Sequence, residues 1–221
     1  MDHLKLDPQG LVVAVAQDRL TGRVQMVAWM NEEALKLTLN SGKATFYSRS
    51  RQTLWQKGET SGHVLNVQEV HLDCDGDTLV LLCDPVGPSC HTGKPTCFFR
   101  QLLTDGSLST DEVEAAPFLT RLESTLKARR ASTAQKSYTR SLLEAGAHRI
   151  GDKVIEEASE FAEAIKNESD ARVASEGADV LYHLMVGLEL RGLSLRDVIE
   201  VLAERTGQSG HQEKASRGGG N

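Results

Sequence analysis

The sequence lacks the long apolar run that a membrane-spanning helix requires. No uninterrupted apolar stretch approaches the roughly 20 residues that cross a bilayer. The amino-terminal residues, from Met1 to Pro8, also lack the apolar centre of a signal peptide. We therefore expect a cytoplasmic protein with no membrane partner.

Basic residues are too few for a general nucleic-acid-binding protein. The chain has 25 Lys and Arg against 31 Asp and Glu, which gives a formal net charge of −6. Such binding needs a basic excess to neutralise phosphates, so we expect no nucleic-acid partner. Small anionic substrates are still compatible with this charge where bound metals supply positive charge locally.

Cysteine is scarce, and its four copies are crowded between positions 74 and 97. This clustering fits metal ligation in a reducing compartment better than a disulfide framework. The chain is otherwise ordinary, with 39% hydrophobic and 25% charged residues over 221 positions. That length allows one large domain or two modest ones.

The segment between Asp73 and Phe98 carries the strongest chemical signal. A carboxylate occupies every second position of its acidic part, at Asp73, Asp75 and Asp77. Three sulfur ligands and one imidazole lie in the same segment, and these are Cys74, Cys90, Cys97 and His91. Carboxylates suit Mg²⁺, whereas thiolate and imidazole suit Zn²⁺, so the segment predicts two different metals held close together.

A regular strand over Asp73–Asp77 would place the three carboxylates on one face and Cys74 on the other, where it could bind a metal across a subunit boundary. An EF-hand is excluded because Thr78 and Asp84 occupy its glycine and glutamate positions. A zinc finger needs two close ligand pairs, and Cys90 and Cys97 are too far apart to form one. The alternative is a solvated acidic turn beside unrelated buried thiols.

A second polar region, Thr45 to Gly62, is suited to phosphate. Arg49 and Arg51 would share one face of a strand. Lys57 and Ser61 offer phosphate-binding groups beside glycines that allow close backbone approach. The alternative is a solvated edge strand and loop.

The apolar pattern divides the chain into two domains. Residues 1–103 predict an α+β domain with a mainly antiparallel sheet, including a hairpin of Leu11–Ala16 with Val24–Met30. Residues 104–114 are polar and turn-rich and are interpreted as a linker. Residues 115–207 predict an all-helical domain, and residues 208–221 a flexible tail.

Two helices of the second domain predict another metal site. On a helical wheel, Lys153–Ile165 shows an apolar stripe of Val154, Ile155, Ala158, Phe161, Ala162 and Ile165. Its opposite side is acidic, with Glu156, Glu157, Glu160 and Glu163. The next helix is apolar nearly all round, yet it carries Glu176, Asp179 and His183 on one face. Packed together, these carboxylates would repel unless Mg²⁺ compensated them; the alternative is pairing with Arg or Lys.

Residues 10–103 resemble the phosphoribosyl-AMP cyclohydrolase family. The resemblance rests on Ser48-Arg49-Ser50-Arg51, Leu54-Trp55-x-Lys57-Gly58-Glu59-x-Ser61-Gly62, Asp73-Cys74-Asp75-x-Asp77 and Cys90-His91-Thr92-Gly93-x-x-x-Cys97-Phe98. It implies a homodimer in which Cys74, Cys90 and Cys97 bind Zn²⁺, with Cys74 contributed across the interface. It likewise implies Mg²⁺ on Asp73, Asp75 and Asp77.

Residues 115–206 resemble phosphoribosyl-ATP pyrophosphohydrolase, a helical relative of the MazG-type nucleotide pyrophosphohydrolases. The motifs are Ser137-Tyr138-Thr139, Lys153-Val154-x-Glu156-Glu157-x-x-Glu160, Glu176-x-x-Asp179 and Asp179-Val180-Leu181-Tyr182-His183-Leu184. The two resemblances together imply a bifunctional enzyme of histidine biosynthesis. Its C-terminal half would release pyrophosphate from phosphoribosyl-ATP, and its N-terminal half would open the purine ring of the product. Chain order is the reverse of reaction order, so the fusion alone does not imply channelling.

We assign residue roles on this basis. The expected substrate contacts are Arg49, Arg51, Lys57, Ser61 and Lys153. The expected catalytic groups are His91, as zinc ligand or proton shuttle, and Glu157 with Glu160. The expected helical Mg²⁺ ligands are Glu156, Glu157, Glu160, Glu176 and Asp179. His63 receives no role.

Two rival interpretations compete with this one. The first is a general nucleotide pyrophosphohydrolase with a structural zinc dimerisation domain. The second is a non-enzymatic zinc module joined to a helical regulatory domain, which would leave the arginines, Lys57 and the aspartates without a use.

Overall fold

The computed structural model describes residues 3–131 and 137–206. The chain divides into two units between Pro117 and Phe118. The predicted tail, 208–221, lies outside the described residues. No helix in the described ranges is long and apolar enough to cross a membrane.

The N-terminal unit is a sheet domain with one helix. Its elements are β1 Val12–Asp18, β2 Val24–Met30, α1 Glu32–Ser41, β3 Thr45–Ser48, β4 Thr53–Gln56, β5 Leu65–Leu72, β6 Thr78–Pro85, β7 Arg100–Leu102 and β8 Leu108–Glu112. The main sheet has the order β4-β3-β2-β1-β6-β5. Only the β1–β6 pair is parallel. The prediction of a mainly antiparallel α+β domain is confirmed.

Side chains of β1 alternate between buried and partly exposed positions, and the buried ones form part of the core of this unit. Val12, Ala14 and Ala16 are buried, as a strand with one covered face requires. The helix α1 begins where the Asn31 side chain accepts the Ala34 N–H at 2.8 Å, and it ends at Gly42 in the left-handed conformation. Both helix limits match the sequence prediction.

Three local predictions differ from the structure. Strand β3 stops at Ser48, so Arg49 and Arg51 lie in a turn rather than on one strand face. Asp73–Asp77 is also a turn, because the Asp73 carboxylate accepts backbone N–H groups that a strand would pair across the sheet. The expected linker, 104–114, contains β8, which pairs with β7 around a turn at Asp105-Gly106-Ser107.

The C-terminal unit is all-helical, as predicted. Its helices are α2 Phe118–Ala131, α3 Tyr138–Asn167, α4 Asp170–Arg191 and α5 Leu195–Thr206. Gly146 interrupts α3 with a φ of +82°. The core of this unit comprises Leu126, Leu142, Ile150, Met185 and Val186.

The apolar stripe predicted on α3 does not face this core. Ile155 and Ile165 are 72% and 60% exposed, whereas Glu157 is buried. The buried face instead runs through Ile150, Glu157 and Ala164, spaced seven residues apart. Two helical turns separate such positions, so a carboxylate points into the region between α3 and α4.

Candidate active sites

A cavity of about 550 Å³ lies in the N-terminal unit. Six residues that the sequence assigned to metal or substrate line it: Arg51, Lys57, Ser61, Cys90, His91 and Cys97. The structure therefore brings three phosphate-binding candidates and three candidates for the zinc centre into one space.

Strand β2 holds the cysteine loop at this cavity. The Cys97 N–H donates to the Gln25 carbonyl at 2.9 Å, and the Thr96 hydroxyl donates to the Val24 carbonyl at 2.6 Å. The Ser89 hydroxyl donates to the buried Gln25 side chain at 2.9 Å. Two of these bonds use backbone carbonyls of β2, at Val24 and Gln25, and the pairing between β2 and β3 lies further along the strand, at Trp29. Strand β2 thereby positions both ends of the loop.

The two loop thiols differ in acidity. The Thr92 hydroxyl donates to Cys90 Sγ at 3.1 Å, and this bond lowers the Cys90 pKa. Partial desolvation of the Cys97 thiol, and then the charge of Cys90, raise the Cys97 pKa to about 11, although the residue as a whole is exposed. Lys57 lies close enough to oppose that shift. Cys90 is therefore the readier thiolate of the pair.

The candidate zinc ligands of the described residues do not come together as one set. His91 Nδ1 lies 3.9 Å from Cys90 Sγ, and the His91 side chain is exposed. In the described ranges, neither His91 nor Cys74 completes a group of three ligands with Cys90 and Cys97. Tetrahedral zinc needs four ligands, so the two loop thiols require others from elsewhere.

The acidic turn before β6 gathers its three carboxylates despite the lost strand. Ligand atoms of Asp73, Asp75 and Asp77 lie within 4.8 Å of one another, and all three residues are exposed. Desolvation raises the Asp73 pKa, but hydrogen bonds from the N–H groups of Thr78, Asp77 and Gly76 outweigh it and keep the pKa below its usual value. Exposed carboxylates in this arrangement fit Mg²⁺.

Arg49 lies outside the cavity lining and stacks on Trp29, with its Cζ 4.6 Å from the ring centre. His63, which the sequence left without a role, does line the cavity, as do Trp55 and Glu59. Its position directly after Gly62, in the loop predicted to bind phosphate, could have indicated a place at the cavity. The residue types could not show that the Lys57 ammonium donates a hydrogen bond of 2.8 Å to the His63 carbonyl oxygen.

A second site lies between α3 and α4. Ligand atoms of Glu157, Glu176 and Asp179 come within 4.8 Å of one another. Glu157 and Glu176 are 8% and 3% exposed. Gly177 allows this approach, because a Cβ there would lie 3.2 Å from the Phe161 ring.

The carboxylates at this site are only partly compensated. Lys153 Nζ lies 2.8 Å from Glu157 and 2.9 Å from Glu156, and Arg172 lies 2.5 Å from Glu176. Burial raises the Glu176 pKa; Arg172 opposes the shift, whereas Glu160, Asp179 and Glu157 add to it. The carboxylates cluster as the metal site predicts, and Lys153 and Arg172 also pair with two of them, as the alternative predicts. Glu157, Glu176 and Asp179 converge, with Lys153 and Arg172 shared among other carboxylates, and such an acidic cluster fits a site that takes Mg²⁺.

The remaining residues predicted for this site lie at its edge. Glu156 and Glu160 are exposed and lie outside the three-carboxylate group, although Glu160 is near enough to raise the Glu176 pKa. Lys153, expected to contact substrate, pairs with Glu156 and Glu157. Sequence reasoning gave no role to His183, which is buried with Nδ1 3.8 Å from Glu157 Oε1.

Comparisons with known proteins agree with this division into two sites. A family model described as phosphoribosyl-AMP cyclohydrolase matches residues 26–99, and one described as phosphoribosyl-ATP pyrophosphohydrolase matches residues 119–206. A "Histidine biosynthesis bifunctional protein HisIE" of Wolinella succinogenes is 42% identical over 98% of this chain and 97% of its own. A chloroplastic protein of the same description from Arabidopsis thaliana is 44% identical over 98% of this chain and 80% of its own. The Photobacterium profundum protein is 46% identical over 89% and 92%.

The fold and the matches define a hydrolase with two catalytic domains. The chain belongs to the family of bifunctional histidine biosynthesis proteins. Its N-terminal domain is the phosphoribosyl-AMP cyclohydrolase, and its C-terminal domain is the phosphoribosyl-ATP pyrophosphohydrolase.

Proposed function

We propose that the N-terminal cavity opens the N1–C6 bond of the phosphoribosyl-AMP purine with a zinc-activated water. The observation that carries this proposal is that Cys90, Cys97 and His91 share one cavity with Lys57 and Arg51. Zinc, when bound, makes a water acidic enough to act as a nucleophile near neutral pH. Cys90 and Cys97 would hold it, and His91 would complete the ligand set or carry the proton of the attacking water.

The protein residues around this centre would bind and orient the substrate. Lys57 and Arg51 present positive charge on the cavity wall, where the substrate phosphate and ribose would lie. Ser61 adds a hydroxyl to the same wall. Arg49 would leave its stack on Trp29 to contact the substrate.

The active form proposed for this domain is a homodimer in which Cys74 of one copy completes the zinc site of the other. Support comes from the incomplete ligand set within one subunit and from the exposure of Cys74. Asp73, Asp75 and Asp77 would bind Mg²⁺ beside the same boundary. Cysteines without disulfides also support a reducing, cytoplasmic location.

In the helical domain, which we propose to be a MazG-like bundle, the carboxylates of α3 and α4 would hold Mg²⁺. The ligands proposed are Glu156, Glu157, Glu160, Glu176 and Asp179, with Glu157, Glu176 and Asp179 the best placed. Mg²⁺, when bound, neutralises the triphosphate charge and orients a water toward the phosphorus. Glu157 and Glu160 would accept the proton of that water, and Lys153 would move from its carboxylate partners toward the phosphates.

The test follows turnover of phosphoribosyl-ATP by two signals, pyrophosphate release and the ultraviolet spectral change of purine opening. We expect both signals, with only the second lost on treatment with a zinc-selective chelator. Pyrophosphate release without ring opening, from metal-loaded and folded protein, would favour the rival pyrophosphohydrolase with a structural zinc domain. Neither signal would contradict both assignments. The cyclohydrolase match over 26–99 argues against that rival.

A further inference from the structure

The Ser137-Tyr138-Thr139 motif at the start of α3 takes no part in the sites above, yet it reaches the carboxylates between α3 and α4. The Tyr138 phenol oxygen lies 3.0 Å from Nε2 of His183. Nδ1 of His183 lies 2.9 Å from the Asp179 carbonyl oxygen and 3.8 Å from Glu157 Oε1. One imidazole therefore connects the motif with two of the three clustered acidic residues.

The partners of His183 fix which ring nitrogen carries the hydrogen. The Asp179 carbonyl can only accept, so Nδ1 must be the donor of that bond. In the neutral ring, Nε2 is then an acceptor, and the Tyr138 hydroxyl donates to it. His183 is 4% exposed, so water does not compete for these contacts.

Two aromatic rings also restrain the orientation of the imidazole. Tyr138 and Tyr182 lie edge-on to His183, with ring centres 6.0 and 5.2 Å away and interplanar angles of 90° and 86°. Edge-to-face packing of this kind adds to area burial. Tyr182 is itself anchored by a hydrogen bond of 2.8 Å with the Thr139 hydroxyl. The bond from the motif to His183 therefore comes from Tyr138, whereas Thr139 bonds the neighbouring Tyr182.

We propose that His183, held by Tyr138, is a positioning residue of the pyrophosphohydrolase site. Its Nδ1–H ties down the turn of α4 that carries Asp179, and its ring fills the space beside Glu157. The two carboxylates are thereby kept in place for a shared cation, in the way that residues behind metal ligands orient them. This inference rests on the helical Mg²⁺ site proposed above.

Three variants separate the parts of this arrangement. Tyr138→Phe removes one hydroxyl and keeps the ring, and it is the decisive change because Tyr138 is 54% exposed and contributes little to the core. His183→Ala removes the imidazole, and His183→Asn keeps a donor near the Nδ1 position. Tyr182→Phe is the matched control, since its hydroxyl bonds Thr139 and is not bonded to His183.

The experiment titrates full-length protein with Mn²⁺ in place of Mg²⁺, detected by electron paramagnetic resonance, and measures kcat and KM for pyrophosphate release. The Glu157→Gln variant defines how much bound Mn²⁺ belongs to the helical site. Phosphoribosyl-AMP turnover reports the active N-terminal domain, and thermal unfolding followed by helical circular dichroism shows whether the helical domain of each variant is folded.

We expect Tyr138→Phe to weaken Mn²⁺ binding and lower kcat by about threefold to tenfold, the effect of one hydrogen bond, with KM changed by less than about twofold. His183→Ala should lower Mn²⁺ affinity and kcat more than Tyr138→Phe does. His183→Asn should recover part of that loss. Tyr138→Phe should add nothing in the His183→Ala background, because the two residues act as one unit. Tyr182→Phe should bind Mn²⁺ as wild type does.

Wild-type Mn²⁺ binding by both Tyr138→Phe and His183→Ala, with binding lost in Glu157→Gln, would overturn the positioning role and leave the metal site standing. Unchanged binding in Glu157→Gln would instead contradict the proposed metal site, and the positioning role with it. Equal losses in Tyr182→Phe and Tyr138→Phe would also overturn the inference, because a general packing defect would then explain both.

Discussion

The Lys57 ammonium donates a hydrogen bond of 2.8 Å to the carbonyl oxygen of His63, and this bond fixes a cation on the wall of the N-terminal cavity. Gly58 makes the contact possible: its φ is +84°, and a Cβ there would lie 2.4 Å from the His63 carbonyl carbon. Burial lowers the Lys57 pKa, and the neighbouring Cys97 and Cys90 act in the opposite direction. A positive charge beside two thiols is suited to an anionic substrate.

Replacing Lys57 with Met should therefore impair the cyclohydrolase selectively. Met keeps most of the apolar stem and removes the charge, so we expect kcat/KM for phosphoribosyl-AMP to fall about 30-fold to 100-fold, the effect of one charged hydrogen bond. Pyrophosphate release by the same chain should not change. Lys36→Met is the matched control, because Lys36 is exposed on α1 and pairs with Glu32. A Lys57→Met enzyme with normal kcat/KM would remove Lys57 from the substrate site.

Zinc uptake should depend on pH through the two loop thiols. The Cys97 pKa of about 11 lies far above neutrality, so zinc must displace its proton, and zinc affinity should rise as pH increases from about 6 to 9. Thr92→Val removes the bond that lowers the Cys90 pKa, so the variant should bind zinc less tightly at pH 7 and approach wild type at high pH. Competition with a chromophoric chelator across this range measures both effects. A pH-independent affinity would contradict the expected proton release.

The turn that carries the aspartates depends on Gly76. Its φ is +86°, and a Cβ there would lie 2.4 Å from the His3 carbonyl oxygen. Gly76→Ala should destabilise the N-terminal domain by about 1–3 kcal/mol and weaken Mg²⁺ binding. Gly10→Ala is the control, because Gly10 has a φ of +76° but nothing within 4 Å of a Cβ. Thermal unfolding should show a larger loss for Gly76→Ala; equal losses would mean that the clash with His3 has no effect.

Much of the fold could be predicted because local signals agreed with it. Asn31 and Gly42 delimit α1 by capping, and alternation along β1 identified its buried face. The prediction of a strand over Asp73–Asp77 was wrong because the Asp73 carboxylate closes a turn. It accepts hydrogen bonds from three backbone N–H groups that a strand would pair with its neighbour.

The sites were harder to predict than the fold, because their geometry comes from contacts distant in sequence. The helical wheel placed Ile155 in an apolar stripe opposite Glu157, but Glu157 is buried and Ile155 is exposed. The role of the His63 carbonyl depends on the path of the backbone at Gly58, which residue types alone do not specify. The ligand types proposed at both sites could be named from sequence alone, because carboxylate and thiolate chemistry does not depend on the fold.

Replacing Glu176 tests whether its buried carboxylate lowers the stability of the metal-free helical domain while being needed for pyrophosphate release. Because folding raises its pKa, its ionisation favours the unfolded chain: the folded state is most favoured below the unfolded pKa of about 4.3, and stability is lost as pH rises through the folded value. Glu176→Gln should therefore leave the metal-free helical domain as stable at pH 7.5 as wild type, or more so, while pyrophosphate release is lost. Thermal unfolding with and without Mg²⁺ measures this. Mg²⁺ should stabilise the helical domain of the wild type but not that of Glu176→Gln. Glu163→Gln, on the exposed side of α3, serves as control. A large destabilisation of metal-free Glu176→Gln would mean that its pair with Arg172 is structural.

Cys74 is the residue that separates a shared zinc site from one confined to a subunit. It is exposed in the acidic turn and does not join Cys90 and Cys97 in a ligand group within the described ranges. If a second copy supplies it, Cys74→Ala and Cys90→Ala should each abolish ring opening and lower zinc content. Refolding the two inactive variants together should then restore about a quarter of the wild-type activity. That fraction is expected because random pairing makes half of the dimers mixed, and each mixed dimer has one intact site of two.

The control mixes Cys90→Ala with Cys97→Ala, since both changes damage the same loop and no pairing of these subunits contains an intact site. Pyrophosphate release, which needs no zinc in this scheme, should stay constant in every mixture and report the amount of chain, and circular dichroism should show that the N-terminal domain of each variant is folded. Activity restored in the first mixture alone would establish that the site crosses the interface. No recovery in either mixture, from samples shown to be dimeric, would require Cys74 to act within its own subunit, through a movement of the turn that Gly76 and His3 now hold in place.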